Sequence, residues 1–251
     1  MESILSPGQR PSVWFRPEMG KKGYGQFCPV AKASELLAER WMPLVVRELL
    51  AGGRHYGDLR RGIPLISPAM LSARLHELVE AGVVERSETS RGRYEYRLTE
   101  AGEELRPVIQ AFGIWGQRWA QRELRSEQLD PELLVWVVRR RLNPRDFGVP
   151  RAVLEFEFPE VPLKLRRFWF LVEPDGVDLC LKHPGREVDV SVCSSVRTLT
   201  QVFLGKVLPE TAVRSGAIVL EGARGLVRAF PRWCPRSPFA AHARPPAPQK
   251  S

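Results

Sequence analysis

Hydrophobic residues Leu71, Leu75, Leu78 and Val79 recur at steps of three and four, so they form one apolar stripe along a helix. Ser67 is suited to cap the start of that helix, Pro68 fits its first turn, and Gly82 ends it. Upstream, Pro29 opens "VAKASELLAERW", a run of helix formers. "PLVVRELLAGG" predicts a second helix stopped by Gly52-Gly53, and "HYGDLRRGI" a short third one cut off by Pro64. Downstream, "VVERS" and "RYEYRL" predict two strands joined by the polar tip "ETSRG". Thr99 then caps a predicted long helix that holds Leu105, Val108, Ile109, Phe112, Trp115 and Trp119.

From about Pro131 the pattern changes. "PELLVWVVRRRL" predicts a helix that stops before Asn143-Pro144. Short alternating runs follow, with Leu154, Phe156 and Phe158 on one face, then Phe168, Phe170 and Val172, then Val188, Val190 and Val192. A turn at Pro174-Asp175-Gly176 leads to "VDLCL". This alternation describes half-buried antiparallel strands. Ser194 or Ser195 caps "VRTLTQVFLG", "GAIVLEG" is a last strand, and "ARGLVRAF" a last helix. The predicted organisation is a flexible arm over 1–25, a mostly helical domain with a hairpin over 26–126, an α+β domain with a mainly antiparallel sheet over 127–233, and a Pro/Ala-rich disordered tail over 234–251.

Charge narrows the partners. The chain carries 38 Lys and Arg against 29 Asp and Glu, a formal +9, which suggests a nucleic acid or an anionic membrane surface. The bland alternative is a basic surface kept for solubility. The opening "MESILSPGQRPSVWF" has no apolar run of signal-peptide or membrane-span length. Four scattered cysteines, Cys28, Cys180, Cys193 and Cys234, form no C-x-x-C pair. Together these predict a cytoplasmic protein with reduced thiols. His55, His76, His183 and His242 lie far apart, and the chain has no Walker loop or dinucleotide fingerprint. The expectation is therefore no enzyme, no cofactor and no metal.

On the helix opened by Ser67, the face away from the leucines carries Ala69, Met70, Ala73 and His76, with Glu77 and Glu80 farther along. Its amino-terminal half is small and nearly uncharged and can approach base edges, whereas its acidic end would be repelled by phosphates. Ser67 and the first-turn amides can hold a phosphate. Arg86, Arg91 and Arg93 of the hairpin are placed to reach backbone or minor groove, and Arg60, Arg61 and Arg74 extend the basic surface. The competing reading is a helix that only packs, beside arginines that solvate a hairpin.

The segments "RWMPLVVRELLAG", "RHYGDLRRGI", "ISPAMLSARLHELVEAGVVER" and "YEYRLTEAG", with the late Trp115-Gly116, resemble HxlR-type winged-helix transcriptional regulators, a MarR-like branch. The resemblance spans about Cys28 to Ala120. It departs from the family where Tyr56 replaces a usual phenylalanine and where "IPLI" stands for the frequent "IPGI". It implies a homodimer on a palindromic operator in double-stranded DNA. Ser67, Ala69, Met70, Ser72, Ala73 and Arg74 would lie on the recognition helix, Arg91 and Arg93 on the wing. Phe112, Trp115 and Trp119 would pair with the second subunit; their alternative is an intrachain core. Some such regulators use a cysteine near the position of Cys28 as a redox switch, and a helix N-terminus with Lys32 one turn on can activate a thiol; a silent structural cysteine is the alternative.

The second domain resembles the sterol-carrier-protein-like fold, through its helix, its antiparallel strands and the late "GAIVLEGARGLVRAFPRW". That resemblance implies an apolar cleft for a small apolar ligand. Phe156, Phe158, Phe168, Phe170, Leu199 and Phe203 are its candidate lining, against the mundane reading of a sheet–helix core. Two functions remain. One is a DNA-binding regulator, most simply a repressor, with a ligand-sensing second domain. The other is a lipid-binding carrier whose winged helix serves protein contacts.

Overall fold

The computed structural model describes residues 23–90, 92–121 and 123–243. The chain divides into two compact units, the first ending at Ile109 and the second beginning at Gln110. The division falls seventeen residues before the 126–127 boundary read from the sequence, inside a helix rather than after it.

The first unit is built from α1 (Pro29–Leu37), α2 (Met42–Leu50), α3 (Tyr56–Gly62), α4 (Pro68–Glu80), the hairpin β1 (Val84–Glu88) and β2 (Tyr94–Leu98), and α5 (Glu100–Glu103). Apolar periodicity makes the core: Leu71, Leu75 and Leu78 of α4 pack with Met42, Val45, Val46, Leu59 and Ile66. The caps are those anticipated. Ser67 Oγ accepts from the Met70 amide at 3.2 Å, and Thr99 Oγ1 accepts from the Gly102 amide at 3.2 Å.

The long helix expected from Thr99 is instead two helices, α5 and α6 (Arg106–Trp115), followed by a π-helical turn over Gly116–Ala120. Pro107 supplies the reason. It has no amide hydrogen to offer the carbonyl four residues back, and its ring crowds that carbonyl, so the helix restarts rather than runs through.

The second unit contains α7 (Pro131–Arg139), β3 (Ala152–Glu157), β4 (Arg167–Glu173), β5 (Gly176–Cys180), β6 (Val190–Ser194), α8 (Val196–Phe203), α9 (Pro209–Arg214), β7 (Ile218–Gly222), α10 (Arg224–Arg228) and α11 (Phe230–Trp233). The sheet order is β5-β4-β3-β6-β7. The class is α+β, as the pattern predicted, with one exception to antiparallel pairing. The β3-β4-β5 meander fills one side of β3, so β6 returns on the other side and runs parallel to it, Leu154 opposite Val190.

The aromatic face expected to line a ligand pocket is packed solid. Phe156, Phe158, Phe168 and Phe170 are 0–1% exposed, Leu199 is 1% exposed, and Phe203 packs against them partly buried. Phe156 and Phe170 meet edge to face at 4.9 Å between ring centres. Alternate positions on paired strands direct Phe156, Phe168 and Phe170 to one face, where Leu199 and Phe203 of α8 pack with them in the same core. They are core residues, and the pocket reading is corrected accordingly.

Of the stretch expected to be a disordered tail, residues 234–243 are ordered, and residues 244–251 lie outside the described residues. Cys234 is buried, and burial pushes its thiol up to about 12. The Ser237 amide donates to the Phe203 carbonyl at 2.8 Å. The Phe239 ring lies on Gly113, where an added Cβ would stand 2.2 Å from it, so only glycine admits this contact. A Pro/Ala-rich composition did not reveal that one phenylalanine had a socket.

Candidate nucleic-acid interface

Ser67, Ala69, Ser72, Ala73 and His76 are exposed along one side of α4, and Met70 is 36% exposed beside them. That face bears no carboxylate before Glu77, whose carboxylate is bonded to Arg74, and Glu80. The turn that sets the helix is pinned by Tyr56, whose hydroxyl donates to the Pro68 carbonyl at 2.9 Å. The tyrosine in place of a phenylalanine therefore adds a bond between α3 and the first turn of α4. Leu65, in the place of the frequent glycine, is exposed and needs no left-handed backbone, because Trp41 is the one described non-glycine residue with positive φ.

Between α4 and the hairpin lies a groove of about 760 Å³, lined by Arg61, Ser72, His76, Arg86, Arg93 and Tyr94 among others. The hairpin is tight: the Thr89 amide donates to the Arg93 carbonyl at 2.7 Å, and Gly92 adopts φ +66 at the tip. Residue Arg91 lies outside the described residues. The Arg86 guanidinium lies 4.6 Å from the centre of the Tyr94 ring, a cation–π contact that holds it along the strand. Tyr94 sits diagonally from Arg86, whose direct partner is Tyr96. His55 adds a bridge to Glu95 that widens the hairpin by a third segment. Neither Tyr94 nor His55 was singled out in the sequence; the alternation "RYEYR" was the available signal.

The arginines divide by their partners. Among the described residues, the guanidinium groups of Arg60, Arg86 and Arg93 have no carboxylate within ion-pair distance. Arg54 and Arg97 are committed to Glu95, at 3.4 and 3.1 Å. The hydrogen bond from Arg97, helped by Arg54 and opposed by desolvation, holds the Glu95 carboxyl below its usual range. Arg61 faces Asp58 at 3.8 Å.

Arg74 is not on this surface. It is 7% exposed and points back from α4: Nε donates to the Arg40 carbonyl at 3.0 Å, and its two Nη groups bond Glu39 and Glu77. Its place in the helical period explains this, since it adjoins Leu71, Leu75 and Leu78 on the inward face. It ties α4 to the turn before α2, where Trp41 is held at φ +76. Counting Arg74 among the DNA contacts is corrected to a structural role.

Cys28 is half-buried at the position preceding α1, and its side chain makes no capping bond. Lys32 is engaged by Glu35 at 3.1 Å rather than by the thiol. Phe112, Trp115 and Trp119 are 60%, 63% and 59% exposed, so the intrachain-core reading of these three is set aside. Among the described residues no helix is long and apolar enough to cross a membrane, and no cluster of three or more His, Cys, Asp or Glu could hold a metal ion.

Comparison with known proteins adds the decisive observation. Residues 36–124 match the HxlR-like helix-turn-helix family. An HTH-type transcriptional regulator of Mycobacterium tuberculosis is 39% identical over 117 residues, a stretch that takes in 42% of this chain and 73% of that protein. The HTH-type transcriptional regulator YvaP of Bacillus subtilis is 35% identical over 97 residues, which take in 38% of this chain and 90% of that protein. The chain belongs to the HxlR-like helix-turn-helix family. It is thereby a DNA-binding regulator of transcription whose HxlR-like region spans residues 36–124. The solved structure of the reduced form of the transcriptional regulator YodB from Bacillus subtilis also aligns, at 31% identity and TM-score 0.34, over 38% of this chain and 97% of that one. The HxlR-like match ends at residue 124, inside the second unit, so the rest of that unit is read from its own residues.

Proposed function

We propose that the chain is a cytoplasmic repressor that binds a palindromic operator as a homodimer, α4 in the major groove and the hairpin on the backbone or minor groove. One observation carries the reading: the small, uncharged, solvent-facing half of α4 shares a groove with Arg86 and Arg93, neither of which is paired with a carboxylate among the described residues. Ser67, Ala69, Met70, Ser72 and Ala73 would meet base edges or the adjoining phosphates, and Arg86, Arg91 and Arg93 would meet the backbone. Two-fold pairing through Phe112, Trp115 and Trp119 would set the two helices one DNA turn apart, ~34 Å. Exposure of the three rings supports this pairing, since aromatic residues left in water on one helix are a costly surface for a lone chain.

Two experiments test the reading. In titrations at several salt concentrations, Arg93→Gln is expected to weaken binding to specific and random duplexes alike and to flatten the salt dependence by about one unit of slope, because a phosphate contact releases a counterion. An unchanged slope would remove Arg93 from the interface. In sedimentation analysis, Trp115→Asp is expected to give a monomer whose operator affinity falls at least about a hundredfold, through loss of the second half-site. A dimer that survives this change would move the pairing surface elsewhere.

The likeness of the second unit to the sterol-carrier-protein-like fold is supported by its element order: a helix, three strands in an antiparallel meander, a fourth strand, two helices, a last strand and two short helices. We take the unit to bind a small effector. The effector can change operator affinity only by binding the DNA-competent and incompetent states unequally. The carrier reading, with the winged helix as a protein contact, loses ground to the arginines beside α4.

A further inference from the structure

With its aromatic core filled, the second unit offers a different place for a ligand. On the sheet face opposite the phenylalanines, Trp169 pairs with Glu155 and Cys180 across the strands. Its Nε1 donates to Glu155 Oε2 at 2.9 Å, which fixes the indole. Two connections rise beside it. A 3₁₀ turn over Leu163–Leu165 precedes β4, and residues 181–183 follow β5. Antiparallel pairing brings the start of β4 next to the end of β5, so the two connections face a common cleft of about 580 Å³. That volume falls within the usual range of small-molecule sites, roughly 300–1,000 Å³.

The lining has two kinds of wall. Leu163 and Leu181, 80% and 61% exposed, stand with the Trp169 ring as apolar surface. Lys164, Arg166, Arg167, Lys182 and His183 supply donors, and no carboxylate is among the lining residues. Arg167 is engaged by Glu157 at 3.2 Å and lies 4.0 Å from Glu155. Among the described residues Lys164, Arg166 and Lys182 have no carboxylate within ion-pair distance. Arg166 Nε is also buried without a hydrogen-bond partner, a costly state that calls for an acceptor. The His183 ring meets Trp169 edge to face at 5.5 Å, and its Nδ1 accepts from the Gly185 amide at 3.1 Å. The neutral ring therefore carries its hydrogen on Nε2, as a further donor.

We propose that this cleft binds a small organic carboxylate carried on an apolar or aromatic body. Arg166 and Lys182 take the carboxylate, since a guanidinium fork matches its two oxygens. Leu163, Leu181 and Trp169 take the apolar part. This deepens the effector reading of the second unit by giving the effector a site and a chemical class. The test is read without DNA, so its failure is separate from a failure of operator binding.

The experiment is calorimetric titration of the full chain with naphthoate, with its neutral analogue naphthamide, and with inorganic phosphate. Naphthoate is expected to bind once per chain and naphthamide at least about tenfold more weakly, because charge-assisted bonds to the carboxylate are lost. Arg166→Gln and Lys182→Gln are each expected to weaken naphthoate about tenfold with unchanged circular dichroism. Lys182 is exposed, so its variant keeps the test open if Arg166→Gln misfolds. The proposal is overturned if naphthoate gives no heat, if both variants bind it as the parent does, or if inorganic phosphate binds as tightly. It is equally overturned if Lys182→Gln alters only duplex affinity and its salt slope, which would make the patch a phosphate-backbone contact.

Discussion

Replacing Ala73 by glutamate is expected to lower affinity for the operator about a hundredfold while leaving thermal stability nearly unchanged. Ala73 lies on the exposed side of α4, clear of the leucine stripe, and glutamate is a good helix former, so the fold has little reason to respond. The interface has every reason to. At that position the new carboxylate would stand between phosphates and over base edges, losing a close contact and adding repulsion. Anisotropy titration of a fluorescent operator, beside a thermal melt of the same sample, separates the two effects. Affinity retained within about threefold would mean that this face of α4 does not enter the groove.

Arg74→Met is expected to act in the opposite way, lowering stability by about 2 kcal/mol with no direct loss of a DNA contact. The side chain is buried and joins the Arg40 carbonyl to Glu39 and Glu77. Removing one partner of a buried pair leaves groups that must be desolvated without return; both carboxylates are about one third exposed, which keeps the loss below that of a fully buried pair. The turn it braces also holds Trp41 in a left-handed conformation that itself costs of order 1 kcal/mol. Urea unfolding reads the change as a shifted midpoint. If stability is unmoved and the salt slope of DNA binding falls instead, Arg74 reaches phosphate and its assignment to the interior is wrong.

Much of the first unit was legible because local and global signals agree there. Ser67, Pro68 and Gly82 bound α4, the leucine period orients it, and the alternation in "RYEYRL" marks β2. Arg74 shows where residue type misleads. An arginine next to a recognition surface reads as a phosphate ligand, but its step from Leu71 and Leu78 puts it inside, and its partner Glu39 is 35 residues away, at a separation no period reveals. The second unit was legible as strands and helices but not as a site. Alternation tells which residues share a face, not whether that face closes on itself, and Phe156, Phe158, Phe168 and Phe170 filled the space proposed as a pocket. The cleft at Trp169 was out of reach for the same reason: Leu163, Arg166 and Lys182 come together only through the pairing of β4 with β5. Phe239 on Gly113 was likewise a contact across 126 positions within a stretch whose composition suggested disorder.

The most direct test is selection of duplexes from a random pool by the purified full chain, followed by titration of the winning sequence against a scrambled competitor. A sequence with two-fold symmetry, half-sites one helical turn apart, and affinity at least about a thousandfold above the scrambled duplex at physiological salt is the expected result. Enrichment of no sequence, with selected and scrambled duplexes bound alike, would contradict the placement of α4 in the major groove.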